Sequence, residues 1–581
     1  MEKESLSSKE MRKISAESDA LHLGMGWSYD DLEKPHIVIE SSYGESHPGS
    51  SHLLNVTSFI RDGIIEAGGK SANYIITDMC DGVAQGSKGM NLSLASRDFM
   101  VNMIEIQVSA SLCDGVVFVS SCDKSVPAHL MAAARLNKPA VIVPGGSMIS
   151  GASFLACDQM WDVRRKKENK KISIQEYKRY VMGACPSAGA CQMMGTASTM
   201  QVLAESLGLA LTGSALIPVS NVELNRSARE AGKQILNLVE DNIIVSDIIN
   251  ERSIENAITI HAAVGGSTNA VVHLIALANE VGLEIDVDVF DKIHKRTPYL
   301  TNVLSTGAYP TEFFWYAGGV PAIMDQLRDF LNLDVLTVTG HTLGENIDNW
   351  LNNGNREKQN LYLKNYRTSP GEIIKSASDP IASDGGIAIL KGNIAPLGSI
   401  VKHSAIVPQM RHHIGKAKVF KNEDNAITAL EKGEIKKGDI IVLIEQGPKA
   451  CGMPEMFRIS EVIASNKELA GTTAVITDGR YSGCTRGPAI GYISPEAYDN
   501  GPIGVIQDGD LIEIDIPNRK LNLLEGISST GGVEGGDKLL EERLRDKKFK
   551  KKDIEATGKL KGVLDIYKKH VQPPLKGACI K

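Results

Sequence analysis

The sequence predicts a mixed α/β protein: an N-terminal α/β domain built on a parallel sheet (residues 1–370) and a C-terminal β-rich domain (residues 375–581). Three observations carry this. The first half alternates short apolar, β-branched runs with longer helix-forming stretches. Around residues 365–385 that rhythm gives way to SPGEIIKSASDPIASDGG, rich in turn residues and poor in periodicity. Beyond it, apolar and polar residues alternate with period two, as in Leu511-Ile512-Glu513-Ile514-Asp515-Ile516 ahead of the turn residues Pro517-Asn518. A chain of 581 residues, 42% hydrophobic, has material for two to four such domains.

Taken in order, the Tyr74-Ile75-Ile76 run leads into Cys80-Asp81-Gly82. Gly115-Val116-Val117-Phe118-Val119 reads as a buried parallel strand. After it come Ser120-Ser121-Cys122-Asp123-Lys124, then a helix opening near Pro127 with AHLMAAARL, then the strand Ala140-Val141-Ile142-Val143. This is a strand–helix–strand unit, and it sets Cys122, Asp123 and Lys124 at the carboxyl end of a strand, where open α/β sheets bind ligands. CPSAGAC carries Cys185 and Cys191 on a small-residue loop before the helical QMMGTASTMQVLAESLG. Gly265-Gly266-Ser267-Thr268-Asn269 opens a helix that stops at Gly282. Its glycines suit either an anion cradle or close helix packing. Further on, Lys437-Gly438-Asp439 and Gly509-Asp510 are turn-to-strand entries.

Composition narrows the function. Lys+Arg 63 against Asp+Glu 70 gives a net charge of −7, which argues against a nucleic-acid partner. No apolar run reaches the ~18–20 residues of a membrane span. The opening MEKESLSSKEMRK is charged, so no secretory signal is expected and the expected compartment is the cytoplasm. Nine scattered cysteines do not form a disulfide framework. Cys113 and Cys157 read as inert small hydrophobes, and Cys451 and Cys484 as small residues of a pocket wall.

Two motifs fail. Gly69-Lys70-Ser71 lacks the earlier P-loop glycine, because Ile64 stands there. Tyr481-Ser482-Gly483 lacks the glycine of a hydrolase elbow, because Arg480 stands two before Ser482. What remains are two thiol–carboxylate pairs at strand ends, Cys80-Asp81 and Cys122-Asp123. Thiolates suit iron–sulfur clusters or zinc, and carboxylates suit Mg²⁺. Singly, each of these aspartates is an ordinary turn or capping residue. Their coincidence with Cys185 and Cys191 points to a metal centre.

SSCDKSVPAHLMAAARLNKPAVIVPGGSM, CPSAGACQMMGTAST, HAAVGGSTN, GPKACGMPEM and AVITDGRYSG resemble the dihydroxyacid/6-phosphogluconate dehydratase family, in matching order from about residue 35 to 525. The resemblance implies an α/β N-terminal domain with a C-terminal β-barrel-like domain, assembled as a homodimer or homotetramer. It implies a hydro-lyase that converts a small 2,3-dihydroxy acid to a 2-keto acid with an iron–sulfur cluster and Mg²⁺. Carried over by position, Cys122 and Cys191 are cluster ligands. Asp81, Asp123, Glu455 and Lys124 as its carbamate are Mg²⁺ ligands, and Ser482 is the base. A [2Fe-2S] cluster is expected ahead of a [4Fe-4S] one.

The family's Pro-Cys position is Pro48-Gly49 here, so a third cluster ligand must come from elsewhere. Cys80 is the candidate because it adjoins Asp81, and Cys185 is the runner-up. The chemistry requires a cation against the charge developing on the substrate carboxylate. A charged Lys124 ammonium would repel that cation, whereas a carbamate would bind it. Metal coordination would also bring the Ser482 hydroxyl into a useful range.

HPGSSHL, CDGVAQGSKGM and CQMMGTAST resemble aldonate dehydratases, so the expected substrate is a sugar acid such as a pentonate or hexonate. Ser51 and His52 are candidate partners for its tail hydroxyls. The alternative is the dihydroxyacid dehydratase of valine and isoleucine synthesis, with an apolar tail pocket. A non-catalytic iron–sulfur sensor is a remote third reading, which the complete Mg²⁺ ligand set opposes.

Overall fold

The computed structural model describes residues 6–15, 17–483, 485–527, 533–549 and 562–581. Its N-terminal sheet is parallel throughout: β1 (His36–Ser42), β2 (Lys70–Ile76), β3 (Gly115–Ser120) and β4 (Ala140–Pro144), in the order β2-β1-β3-β4. All of β1, β3 and β4 is buried, because helices cover the sheet. One such helix, α1 (Leu53–Glu66), packs backbone to backbone with α2 (Glu223–Glu240). A Cβ on Gly63 would fall 2.0 Å from the Arg229 carbonyl oxygen, so only glycine permits the approach.

Strand order reverses between β1 and β3, and a sheet of this kind opens a crevice at such a point beyond its carboxyl ends. The turns after β1, β2 and β3 therefore meet, carrying His47, Cys80-Asp81 and Cys122-Asp123-Lys124.

The C-terminal sheet has the order β13-β12-β11-β7-β8-β9-β10-β6-β5. Its strands are β5 (Ala388–Leu390), β6 (Gly398–Val401), β7 (His412–Phe420), β8 (Ile440–Leu443), β9 (Ala474–Thr477), β10 (Ala489–Ser494), β11 (Leu511–Asp515), β12 (Lys520–Ile527) and β13 (Val533–Gly535). A bridge between Lys391 and Lys520 joins the β5 edge to β12, so eight strands nearly close into a barrel, as the resemblance implied. Period-two alternation builds it. Ile440 and Val442 belong to its interior core with Ile512 and Ile514, whereas Ile441 and Leu443 pack under the helices Glu423–Glu431 and Arg458–Ser465. The chain ends back on the N-terminal core, where buried Arg97 donates to the Gly577 and Ala578 carbonyls at 2.9 and 3.0 Å. No helix among the described residues is long and apolar enough to cross a membrane.

One core residue has a stability consequence. Glu40 lies in β1 with 0% exposure, and neither carboxyl oxygen has a hydrogen-bond partner among the described residues. Burial pushes its pKa up to about 8. The folded protein thus keeps a proton there that the unfolded chain releases near its ordinary value, so stability present below that value is lost as pH rises towards 8. The slope is about 1.4 kcal/mol per pH unit across that window. Glu40→Leu should therefore melt progressively higher than wild type as pH is raised from 5 to 8. Equal melting temperatures at pH 5 and pH 8 would refute the burial of a neutral Glu40.

Candidate functional site

The carboxyl-end crevice of the first sheet faces the loops of the barrel, and buried charges from both meet there. Asp81 opens the short helix Asp81–Ala84. Its Oδ1 accepts from Ser93 Oγ at 2.6 Å, and its Oδ2 from Lys124 Nζ at 2.7 Å and the Arg480 guanidinium at 3.3 Å. Lys124 is 0% exposed, at the N-cap of α3 (Ser125–Leu136). Asp123 Oδ1 accepts from the Ala197 N–H at 3.1 Å, in the first turn of α4 (Thr196–Ser206), where the helix end favours an anion.

Glu455 Oε1 accepts from Arg480 at 2.5 Å and from Asn269 Nδ2 at 2.7 Å. Asn269 opens α5 (Asn269–Glu280), and its own oxygen accepts from the Tyr492 hydroxyl. The structure thus brings Asp81, Asp123, Lys124 and Glu455 into one charged network across 374 residues of chain.

The fields in this network oppose one another. Burial raises the pKa of Asp81, but Lys124 and Arg480 overcome it and hold the carboxyl below the usual range. Burial and the charge of Asp81 push Asp123 up. Burial pushes Glu455 up to about 7 against the pull of Arg480. Buried like charges of this kind need cations to stay ionised together.

The thiols form two groups. The thiols of Cys80 and Cys122 lie together, and their mutual interaction holds Cys80 below and Cys122 well above the ordinary thiol value. Ligand atoms of His47, Cys80 and Cys122 lie within 4.8 Å of one another. A Cβ on Gly49 would stand 2.9 Å from Cys122 Sγ, so the place of the missing cysteine points at this group. Cys191, next to Cys80 closely enough for their charges to interact, also contacts Cys157, which in turn contacts Cys185. Cys157 is therefore not the isolated residue its loop suggested. Cys185 is exposed, at the far end of this chain from Cys122. Cys451 is buried at the end of the helix Pro448–Cys451, and Cys484 lies outside the described residues.

Ser482 lines a small pocket with Thr268, Lys402 and Thr485. Its neighbour Gly483 abuts the start of α4, since a Cβ there would meet Gly195 Cα at 2.7 Å and the Thr196 nitrogen at 3.1 Å. Gly265 and Gly266 serve close packing: a Cβ on either would enter the Tyr299 or His261 ring. Ser51 is exposed, and His52 Nε2 meets the Gly145 carbonyl at 2.7 Å, while Nδ1 is buried without a partner among the described residues.

Arg480, Asn269 and His47 are the site residues that sequence reasoning missed. Arg480 had a signal, its place two residues before Ser482 in DGRYSG, but it served there only to reject a hydrolase elbow.

Residues 34–346 match the family model described as Dihydroxy-acid/6-phosphogluconate dehydratase N-terminal, and residues 372–578 match its C-terminal counterpart. Proteins named Dihydroxy-acid dehydratase are similar along almost the whole chain. That of Halothermothrix orenii is 40% identical over 568 residues, covering 97% of both chains. Those of Acetivibrio thermocellus and Methanococcoides burtonii are 39% and 40% identical, again over 97% of each chain.

Proposed function

Since the chain belongs to the dihydroxy-acid/6-phosphogluconate dehydratase family, we propose that it is a hydro-lyase converting a 2,3-dihydroxy acid with a branched apolar tail to the 2-keto acid, as in branched-chain amino-acid synthesis. The observation that carries this is the name borne by its full-length relatives. It supports the branched-chain alternative better than the sugar-acid expectation, which rested on short local segments. In the structure Ser51 faces solvent, and His52 engages Gly145 through Nε2.

The residues fit a divalent cation. With all three carboxylates ionised, Lys124 and Arg480 leave the set one net negative charge. Carbamylating Lys124 and adding a divalent ion leaves the same net charge. The exchange is electrostatically neutral inside a buried site, where uncompensated charge costs several kcal/mol. The thiols fit an iron–sulfur cluster: Cys80 and Cys122 in contact, and Cys191 close to Cys80. Asp81, Asp123, Glu455 and carbamylated Lys124 would hold Mg²⁺, and Cys80, Cys122 and Cys191 the cluster, with [2Fe-2S] preferred. When bound, these groups supply Lewis acidity towards the substrate carboxylate and the departing 3-hydroxyl.

The chain does the rest. Ser93 and Arg480 orient Asp81, while Asn269 and Arg480 orient Glu455. Ser482 Oγ, as the alkoxide, would take the C2 proton; the C2–H electron pair forms the C2=C3 bond as C3–O breaks. The departing hydroxide takes that proton back from Ser482 and leaves as water, restoring the alkoxide, and the enol tautomerises to the ketone.

The test is to assay anaerobically purified protein for 2-keto acids with 2,3-dihydroxyisovalerate and a panel of pentonates and hexonates. A tail hydroxyl buried without a partner costs ~1–3 kcal/mol, so kcat/KM for the aldonates should be lower by about tenfold or more. Faster turnover of an aldonate would return the substrate to the sugar acids. No turnover of any 2,3-dihydroxy acid would remove the reading.

A further inference from the structure

His47 sits between β1 and α1, 4% exposed, with its ligand atom in the same group as the Cys80 and Cys122 sulfurs. Its Nε2 lies 3.1 Å from Asp78 Oδ1, which also accepts from Ser50 Oγ at 2.6 Å. A carboxylate only accepts, so Nε2 carries the hydrogen and, in the neutral ring, the lone pair is on Nδ1. Nδ1 is buried and has no hydrogen-bond partner among the described residues. It stands 3.1 Å from the Cβ that a residue at position 49 would carry, the same Cβ that would be 2.9 Å from Cys122 Sγ. An imidazole with one nitrogen held by a carboxylate and the other partnerless, grouped with two thiols, has the build of a metal ligand with its supporting partner.

We propose that His47 Nδ1 is a ligand to the iron–sulfur cluster, filling the terminal place that the thiolates of Cys80, Cys122 and Cys191 leave over. This rests on the iron–sulfur reading of the thiols. A two-iron and a four-iron cluster alike have four terminal places, and imidazole replaces thiolate on iron in known mixed-ligand clusters. Gly49 makes room for it: a side chain there would crowd both Nδ1 and Cys122 Sγ. As a neutral imidazole among anionic thiolates, bound His47 is the ligand that the substrate's 3-hydroxyl would displace, so the cluster still offers it a Lewis-acid iron. Asp78 is its positioning residue.

The experiment uses the intact protein, purified anaerobically after growth with ¹⁵N-histidine and reduced for pulsed electron paramagnetic resonance. A strong ¹⁵N coupling to the cluster, absent in His47→Ala, is expected. His47→Cys should keep its iron but lose the coupling, with visible absorbance moved towards an all-thiolate cluster. A wild-type spectrum with no ¹⁵N coupling overturns the proposal, even if His47→Ala loses iron, because the loss would then reflect packing of the thiols. Cys122→Ser distinguishes the two levels of failure. If it loses iron while wild type shows no nitrogen coupling, only the role of His47 falls. If it keeps full iron and spectrum, the cluster reading falls with it.

Discussion

Replacing Lys124 by arginine should lower kcat by about a thousandfold or more while the fold persists. The side chain is fully buried, with Nζ 2.7 Å from Asp81 Oδ2 and Arg480 on the same oxygen. Arginine keeps the positive charge, cannot take the carbamate, and so leaves two cations where a divalent metal would need anionic oxygen. Losing a Lewis acid worth several kcal/mol corresponds to roughly a thousandfold at about 1.4 kcal/mol per tenfold. Mg²⁺ titration should show no binding to the variant, and ¹³C-bicarbonate should label wild type but not the variant with a carbamate resonance. Because a guanidinium in this space crowds Arg480, Lys124→Gln provides the smaller, neutral comparison. Wild-type-like turnover in either variant would eliminate the carbamate role.

Cys80→Ser, purified anaerobically, should lose its iron and visible absorbance, and with them activity by more than ~100-fold, since even outer partners of a metal are worth 10–100-fold. The thiol lies against Cys122, within electrostatic reach of Cys191, and leads directly into Asp81. Cys185→Ser should leave iron and activity intact, because Cys185 is exposed and its thiol meets Cys157 and Gln192 rather than Cys80 or Cys122. The opposite pattern, full iron in Cys80→Ser and loss in Cys185→Ser, would transfer the ligand role. Loss in both would mean that the Cys157–Cys185 contact also supports the site.

Much of the architecture was legible because local rules express it. The apolar run 115–119 and the alternation from Leu511 to Ile516 are strands whose neighbours merely confirm a pattern present in the chain. The thiol–carboxylate pairs were legible for the same reason, as adjacent residues immediately after strands. β1 was not: HIVIESS places Glu40 in a core, against the burial preference of carboxylates, and only sheets of neighbouring apolar side chains keep it neutral there. The two uses of Gly265-Gly266 could be separated only once the Tyr299 and His261 rings were seen against them.

By itself, then, the sequence determined the sheet-and-barrel division, the strand ends and the carboxylates and thiols that follow them. Only the tertiary structure decided that Arg480 closes on Asp81 from 399 residues away and that His47, with one nitrogen partnerless, joins the group of Cys80 and Cys122. The physical reason is that secondary structure answers to spacings of a few residues. A buried charge or lone pair answers to whatever the folded chain brings within a few ångströms, and no local spacing encodes that.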